Sequence, residues 1–295
     1  MHAGVIASSQ TAAWLGDLEP GVVLPLVAGA AIYAAGVRAL WRRGVGRGVG
    51  TREVLYFALG WVILFAALGP PLDEWSDELF SAHMVQHELM MTVAAPLLLL
   101  GRPAFVMLWA FPGGARRRIG TVLRMRAVRG ATALVMRPFD AWLIHGAAIW
   151  IWHIPSLFQA TLTSPVMHAL QHLSFFGSAL VFWWAVMHPA RRAALGFSLV
   201  LLFTTAVHTA VLGALMTFAR APWYPAYASG AASWGLTPLA DQQLAGLIMW
   251  IPASLAYLVA ALVIVSRWLR ESEGSVVRRE RAAIRILTVT GSNVS

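Results

Sequence analysis

The chain has 295 residues, 59% of them hydrophobic and only 12% charged, and its mean hydropathy of +0.68 marks an integral membrane protein, not a soluble one. It contains no cysteine, which excludes structural disulfides, iron–sulfur clusters and thiolate zinc sites and leaves His, Met and carboxylate for any soft-metal chemistry. The net charge of +9 invites a nucleic-acid partner, but the placement of the arginines argues against one.

Seven apolar stretches, 20–41, 53–70, 78–100, 138–161, 165–187, 193–218 and 241–267, are long enough to cross the hydrocarbon core, which takes roughly 20 helical residues. They predict an all-α integral membrane protein, a seven-transmembrane helix bundle over 20–268. The segment 1–19 ahead of it lacks the basic region of a cleavable signal peptide. The third span carries His83-Met84-Val85-Gln86-His87. A basic connection, about 102–137, follows. Its part 113–136 is amphipathic and suits a loop resting on anionic lipid headgroups, with a partner-docking surface as the alternative. In span four, Trp152-His153-Ile154-Pro155 predicts a kink, because proline removes a backbone donor and frees a carbonyl. The turn Leu162-Thr163-Ser164-Pro165 joins spans four and five as an antiparallel hairpin. Span five repeats the earlier pattern as His168-Ala169-Leu170-Gln171-His172. Span six carries His208. Span seven opens with Asp241-Gln242-Gln243 and holds a second kink motif, Met249-Trp250-Ile251-Pro252. The remainder, 269–295, is a polar tail, expected to be poorly ordered from Glu271 onward.

All 22 basic residues are arginine, and 21 of them fall between spans one and two, three and four, five and six, or after span seven. Only Arg220 lies on the other side. By the positive-inside rule the N-terminus is outside and the C-terminus is cytoplasmic. The charge therefore lines a membrane surface, and no nucleic-acid partner is expected.

Four residues make one helical turn, so His83 with His87, and His168 with His172, each present two imidazoles on one helix face. They lie roughly 8 and 14 Å, and roughly 5 and 10 Å, below the outer ends of their spans. His153 and His208 reach the outer half from the opposite direction, so six of the nine histidines share one slab on four helices. Imidazole is the commonest metal-binding side chain and is costly at membrane depth without a partner. The slab therefore reads as a metal or haem site built from His83, His87, His153, His168 and His172, with His208 and Met249 completing it. A proton relay is weaker, because Glu88 is the carboxylate inside a span and points about 100° away from the histidine face. Thioether with imidazole and no thiolate suits Cu(I) better than zinc or iron. Asp73 and Asp241 at the outer mouth are either helix caps or an acidic vestibule that gathers cations. With Gln86, Gln171 and Met216 they are candidates for the approach to the ion or for support behind its ligands. His145 and His188 read as structural.

The run Pro71-Leu72-Asp73-Glu74-Trp75-Ser76, then Phe80 to His87, ending Ala95-Pro96-Leu97 through Arg102-Pro103, resembles the CtaG family. These are the multi-span assembly factors of caa-type cytochrome c oxidase. The likeness continues through Trp152-His153-Ile154-Pro155, His168, His172, Gly213-Ala214-Leu215-Met216, Pro238 to Gly246 and Met249 to Pro252, covering roughly 20–268. An unrelated single-span copper chaperone of the same name relies on cysteines, which this chain lacks. The resemblance implies a multi-pass protein of the bacterial plasma membrane that is needed to mature the oxidase by delivering copper. The expected partners are oxidase subunits, an extracytoplasmic copper donor and membrane lipids. The alternatives are a haem-binding or haem-handling membrane protein and a copper or proton transporter. Catalysis is not expected, since no nucleophile–base pair or nucleotide loop is visible.

Overall fold

The computed structural model describes residues 20–42, 44–188 and 194–291, with side chains over 20–42, 44–188 and 195–270. The segment 1–19 and three of the orienting arginines, Arg43, Arg191 and Arg192, lie outside the described residues. The described chain is all helical, without a strand. In order come α1 (Pro20–Trp41), α2 (Thr51–Leu68), α3 (Leu72–Glu78), α4 (Phe80–Glu88), a π-helical turn (Leu89–Ala94) and α5 (Ala95–Leu100). Then follow α6 (Pro103–Leu108), α7 (Gly113–Arg124), α8 (Arg126–Val135), α9 (Pro138–Trp152), α10 (Pro155–Thr163), α11 (Pro165–Met187), α12 (Ala194–Thr217), α13 (Ala228–Ser233) and α14 (Pro238–Gly291).

Five stretches among the described residues are long and apolar enough to cross a membrane: Pro20–Trp41, Thr51–Glu78, Pro165–Met187, Leu195–Thr217 and Pro238–Arg270. The pair α9 and α10, bent by 75°, makes a sixth if it counts as one span. The stretch expected as span three does not join this count. It is helical from Phe80 to Leu100, but its first half is polar and nearly every residue of α4 is buried. A helix wrapped by other helices has no lipid to satisfy and needs no apolar surface.

Prolines shape the two elements that carry the central residues. Between α4 and α5 the helix widens into a π turn just before Pro96. In that register the missing Pro96 amide would have met the Met91 carbonyl, and the Trp183 indole donates to this carbonyl instead, at 2.8 Å. At Pro155 the kink expected from sequence is a full break. The Tyr224 hydroxyl donates to the carbonyl of His153 there, at 2.8 Å. α14, by contrast, runs through Pro252 as one helix, and it continues to Gly291. The tail is thus helical where disorder was expected, because 269–290 is rich in Arg and Glu and has no proline to stop it.

Two apolar cores hold the bundle. One joins α1, α2 and the π turn through Tyr33, Phe57, Leu64, Met90 and Leu98. The larger joins α4, α9, α11, α12 and α14 through Phe80, Met84, Phe175, Phe182, Met216 and Met249. α12 and α14 cross at two glycines. A Cβ on Gly213 would fall 2.6 Å from the Gly246 carbonyl oxygen, and one on Gly246 would fall 2.5 Å from that of Gly213. Only glycine permits that approach. The basic connection forms α7 and α8, neither of which has a buried residue.

Candidate metal centre

α11 packs against the π turn and α5 and runs the same way as α4, and the histidine rings of their matching turns meet. Within α4 the His83 and His87 rings are 4.3 Å apart, and within α11 those of His168 and His172 are 4.2 Å apart. Across the helices, His83 lies 5.5 Å from His168 and 6.1 Å from His172, and His87 lies 5.2 Å from His172. One ring nitrogen each of His83, His168 and His172 lies within 4.8 Å of the other two. A triangle of that size has a centre within about 2.8 Å of every corner, so ring shifts below about 1 Å reach a metal–nitrogen bond length. Nε2 of His83, His168 and His172, and both ring nitrogens of His87, are buried without a hydrogen-bond partner among the described residues. Buried polar atoms are rarely left so, and a cluster of four imidazoles with unpartnered ring nitrogens fits a cation that accepts their lone pairs.

The surroundings fix the rings. Burial, helped by the Asp77 and Asp241 carboxylates, raises the pKa of Tyr227 well above its ordinary value and keeps its hydroxyl protonated. That single hydrogen goes to the Ser76 carbonyl at 3.2 Å, so His83 Nδ1–H donates to the Tyr227 oxygen, also at 3.2 Å, and Nε2 keeps its lone pair. Phe158 flanks His83 at 5.1 Å and Phe175 flanks His87 at 4.7 Å. Asp241, fully buried, accepts from the amides of Phe80 and Ser81 at 2.7 and 3.1 Å. It caps α4 from a distant helix, where Leu79 offers no side-chain cap. Asp73 accepts from Gln86 Nε2 at 2.8 Å, and Gln171 stands beside His83.

The expected ligand set divides. His83, His87, His168 and His172 come together. His153 stands behind Phe158 and Phe175, with its ring 6.4 and 6.1 Å from theirs, within electrostatic reach of His83 and His87. Its Nδ1–H donates to the Ile149 carbonyl at 2.7 Å, which leaves Nε2 unprotonated, buried and unpartnered. His208 is elsewhere. It sits against Gly146 and accepts from the Trp150 indole at 3.4 Å, about two turns of α9 from His153. The expectation that it shares the outer slab is corrected: the depth of α12 relative to α9 puts it at mid-bundle. Met249 and Met216 are buried in the apolar core, on helices other than the two that bring the rings together. Asp241 is a buried cap and not part of an open vestibule. Glu88, as expected, faces away, within electrostatic reach of Tyr257 on α14. His145 is structural in form, with Nδ1–H donating to Ser178 at 3.0 Å.

Sequence reasoning missed Tyr227 and Tyr224. Both sit in the connection after α12, and the motif Tyr224-Pro225-Ala226-Tyr227 is an aromatic signal that could have found them.

The family of cytochrome c oxidase caa3 assembly factors (Caa3_CtaG) matches residues 31–271. The chain belongs to this family. Uncharacterized proteins of Mycobacterium bovis and Mycobacterium tuberculosis are each 28% identical to it over 262 residues, or 85% of this chain and 39% of theirs. One from Mycobacterium leprae is 24% identical over the same lengths. The chain thus spans about two-fifths of the curated relatives it matches. No solved structure matches it.

Proposed function

We propose that this protein is a non-catalytic assembly factor that binds Cu(I) on His83, His87, His168 and His172, with His153 close by, and passes it to the oxidase. The observation that carries this reading is the set of buried, unpartnered imidazole nitrogens converging from two helices. Membership of an oxidase assembly family supports a metal cargo, and neutral ligands without thiolate or carboxylate suit a singly charged soft ion. An extracytoplasmic donor would load it. Direct packing of ring on ring, with Phe158 and Phe175 at the sides, favours a bare ion over a porphyrin.

The reading includes seven crossings of a bacterial plasma membrane, counting Phe80–Leu100 as one and the bent pair α9 and α10 as another. The parallel run of α4 and α11 supports this count, since parallel neighbours need a return crossing between them. The arginines then put the N-terminus outside, the C-terminus in the cytoplasm and the histidines near the extracytoplasmic face. In this topology α7 and α8 rest on anionic headgroups.

The test is metal content. Purified protein loaded anaerobically with Cu(I) is expected to retain it and to show no Soret band, and His83→Ala with His87→Ala is expected to lose it while circular dichroism stays helical. Undiminished copper in that variant overturns the reading.

A further inference from the structure

Beside the histidine cluster, residues of α1, α2 and α11 line a groove of about 320 Å³ that opens at the bundle surface, which faces lipid in the topology proposed above. Its wall includes Leu26, Trp61, Leu64 and Phe176, and His172 and the buried Met90 from the π turn line it as well. On this apolar wall the His172 imidazole and the Met90 thioether are the side chains able to bind a metal, since the Trp61 indole nitrogen only donates. Small residues keep the opening clear. Ala169, one turn before His172, is exposed, and a Cβ on Gly21 would meet nothing within 4 Å.

We propose that this groove is the lateral route by which Cu(I) leaves the histidines, with Met90 as its relay ligand. The inference rests on the copper reading above and adds a direction to it. The step is a ligand exchange: a copper–nitrogen bond to an imidazole breaks as a copper–sulfur bond to Met90 forms. Both ligands are neutral, so no proton or electron moves and the single positive charge travels with the ion. A thioether is the ligand of choice for such a step, being soft, flexible and weak enough to release. Met90 follows His83 by seven residues and His87 by three, so it lies on the same helix face and lines the groove together with His172.

Two Cu(I) chelators separate this route from the outer mouth when the protein is held in lipid nanodiscs. One is a phenanthroline that partitions into the bilayer, and the other is its sulfonated, water-soluble analogue. Met90→Leu and Ala169→Phe are expected to slow extraction by the lipophilic chelator by about tenfold or more, the scale on which residues supporting a metal site act. Bound copper per protein and the rate with the sulfonated chelator stay unchanged. Lipophilic extraction that neither substitution slows, or equal slowing with both chelators, overturns the lateral route and leaves the histidine site standing. Wild-type protein that retains no Cu(I) refutes the histidine site, and the route with it.

Discussion

The two His-x-x-Gln-His turns occupy the same place, the fourth to eighth positions of α4 and of α11, yet their surroundings differ. On α4, His83, Gln86 and His87 are 1%, 0% and 1% exposed. Asp241 holds the backbone there, Asp73 holds Gln86 and Tyr227 holds His83. Of the matching three on α11 only Gln171 is fully buried; His168 and His172 are half-buried, and Leu170 and Leu173 beside them face outward. One duplicated pattern thus yields a fixed half and an accessible half. A site that must both hold an ion and give it up needs that inequality, because exchange proceeds fastest where a ligand can move and an acceptor can approach.

The comparison is easiest to break at the fixed half. His83→Ala with His87→Ala is expected to weaken Cu(I) binding by about a thousandfold or more, since even residues that only support a metal's ligands cost about 10- to 100-fold each. The matching pair His168→Ala and His172→Ala should cost less, in a competition titration against a Cu(I) chelator. Equal losses would erase the distinction between the halves. Next in size is the scaffold. Asp241→Ala strands two buried amides and should cost about 2–4 kcal/mol, read as a fall in the thermal midpoint, whereas Asp241→Asn keeps one acceptor and should cost about half as much. A midpoint unchanged in both would mean that α4 is held some other way. Tyr227→Phe removes the acceptor for the buried His83 Nδ1–H and should weaken Cu(I) about tenfold, with a loss of about 1–2 kcal/mol of stability from the stranded donor. His208→Ala, far from the cluster, should leave the titration as it is in the wild type; a clear loss would bring His208 back into the site.

Much of this is readable in the residues, and what is not has a common cause. The limits of α1 and α11 follow from prolines at their starts and apolar residues through most of their lengths, so the expected spans 20–41 and 165–187 coincide with the helices. The histidine pairs stand out because polar side chains at one-turn spacing in an apolar run are tolerated only with a partner that both can reach. Contacts across the chain leave no such local trace. Tyr227 meets His83 across 144 residues and Asp241 meets Phe80 across 161, and the local sequence marks these residues without naming their partners. Depth fails for the same reason. Counting residues along span six puts His208 in the outer half, but the depth of α12 is set by packing against its neighbours, such as the Gly213–Gly246 crossing with α14. Pro155 and Pro252 carry the same local signal with different outcomes, one a 75° break and the other a continuous helix.

The central claim is that imidazoles from α4 and α11 share one ion, and X-ray absorption at the copper edge of the Cu(I)-loaded protein tests it most directly. The account predicts two or more nitrogen scatterers near 2.0 Å, roughly the usual metal–imidazole distance, with the outer-shell pattern of imidazole rings that fades in His83→Ala with His87→Ala. A first shell of oxygen or sulfur alone, unchanged by that substitution, would contradict it.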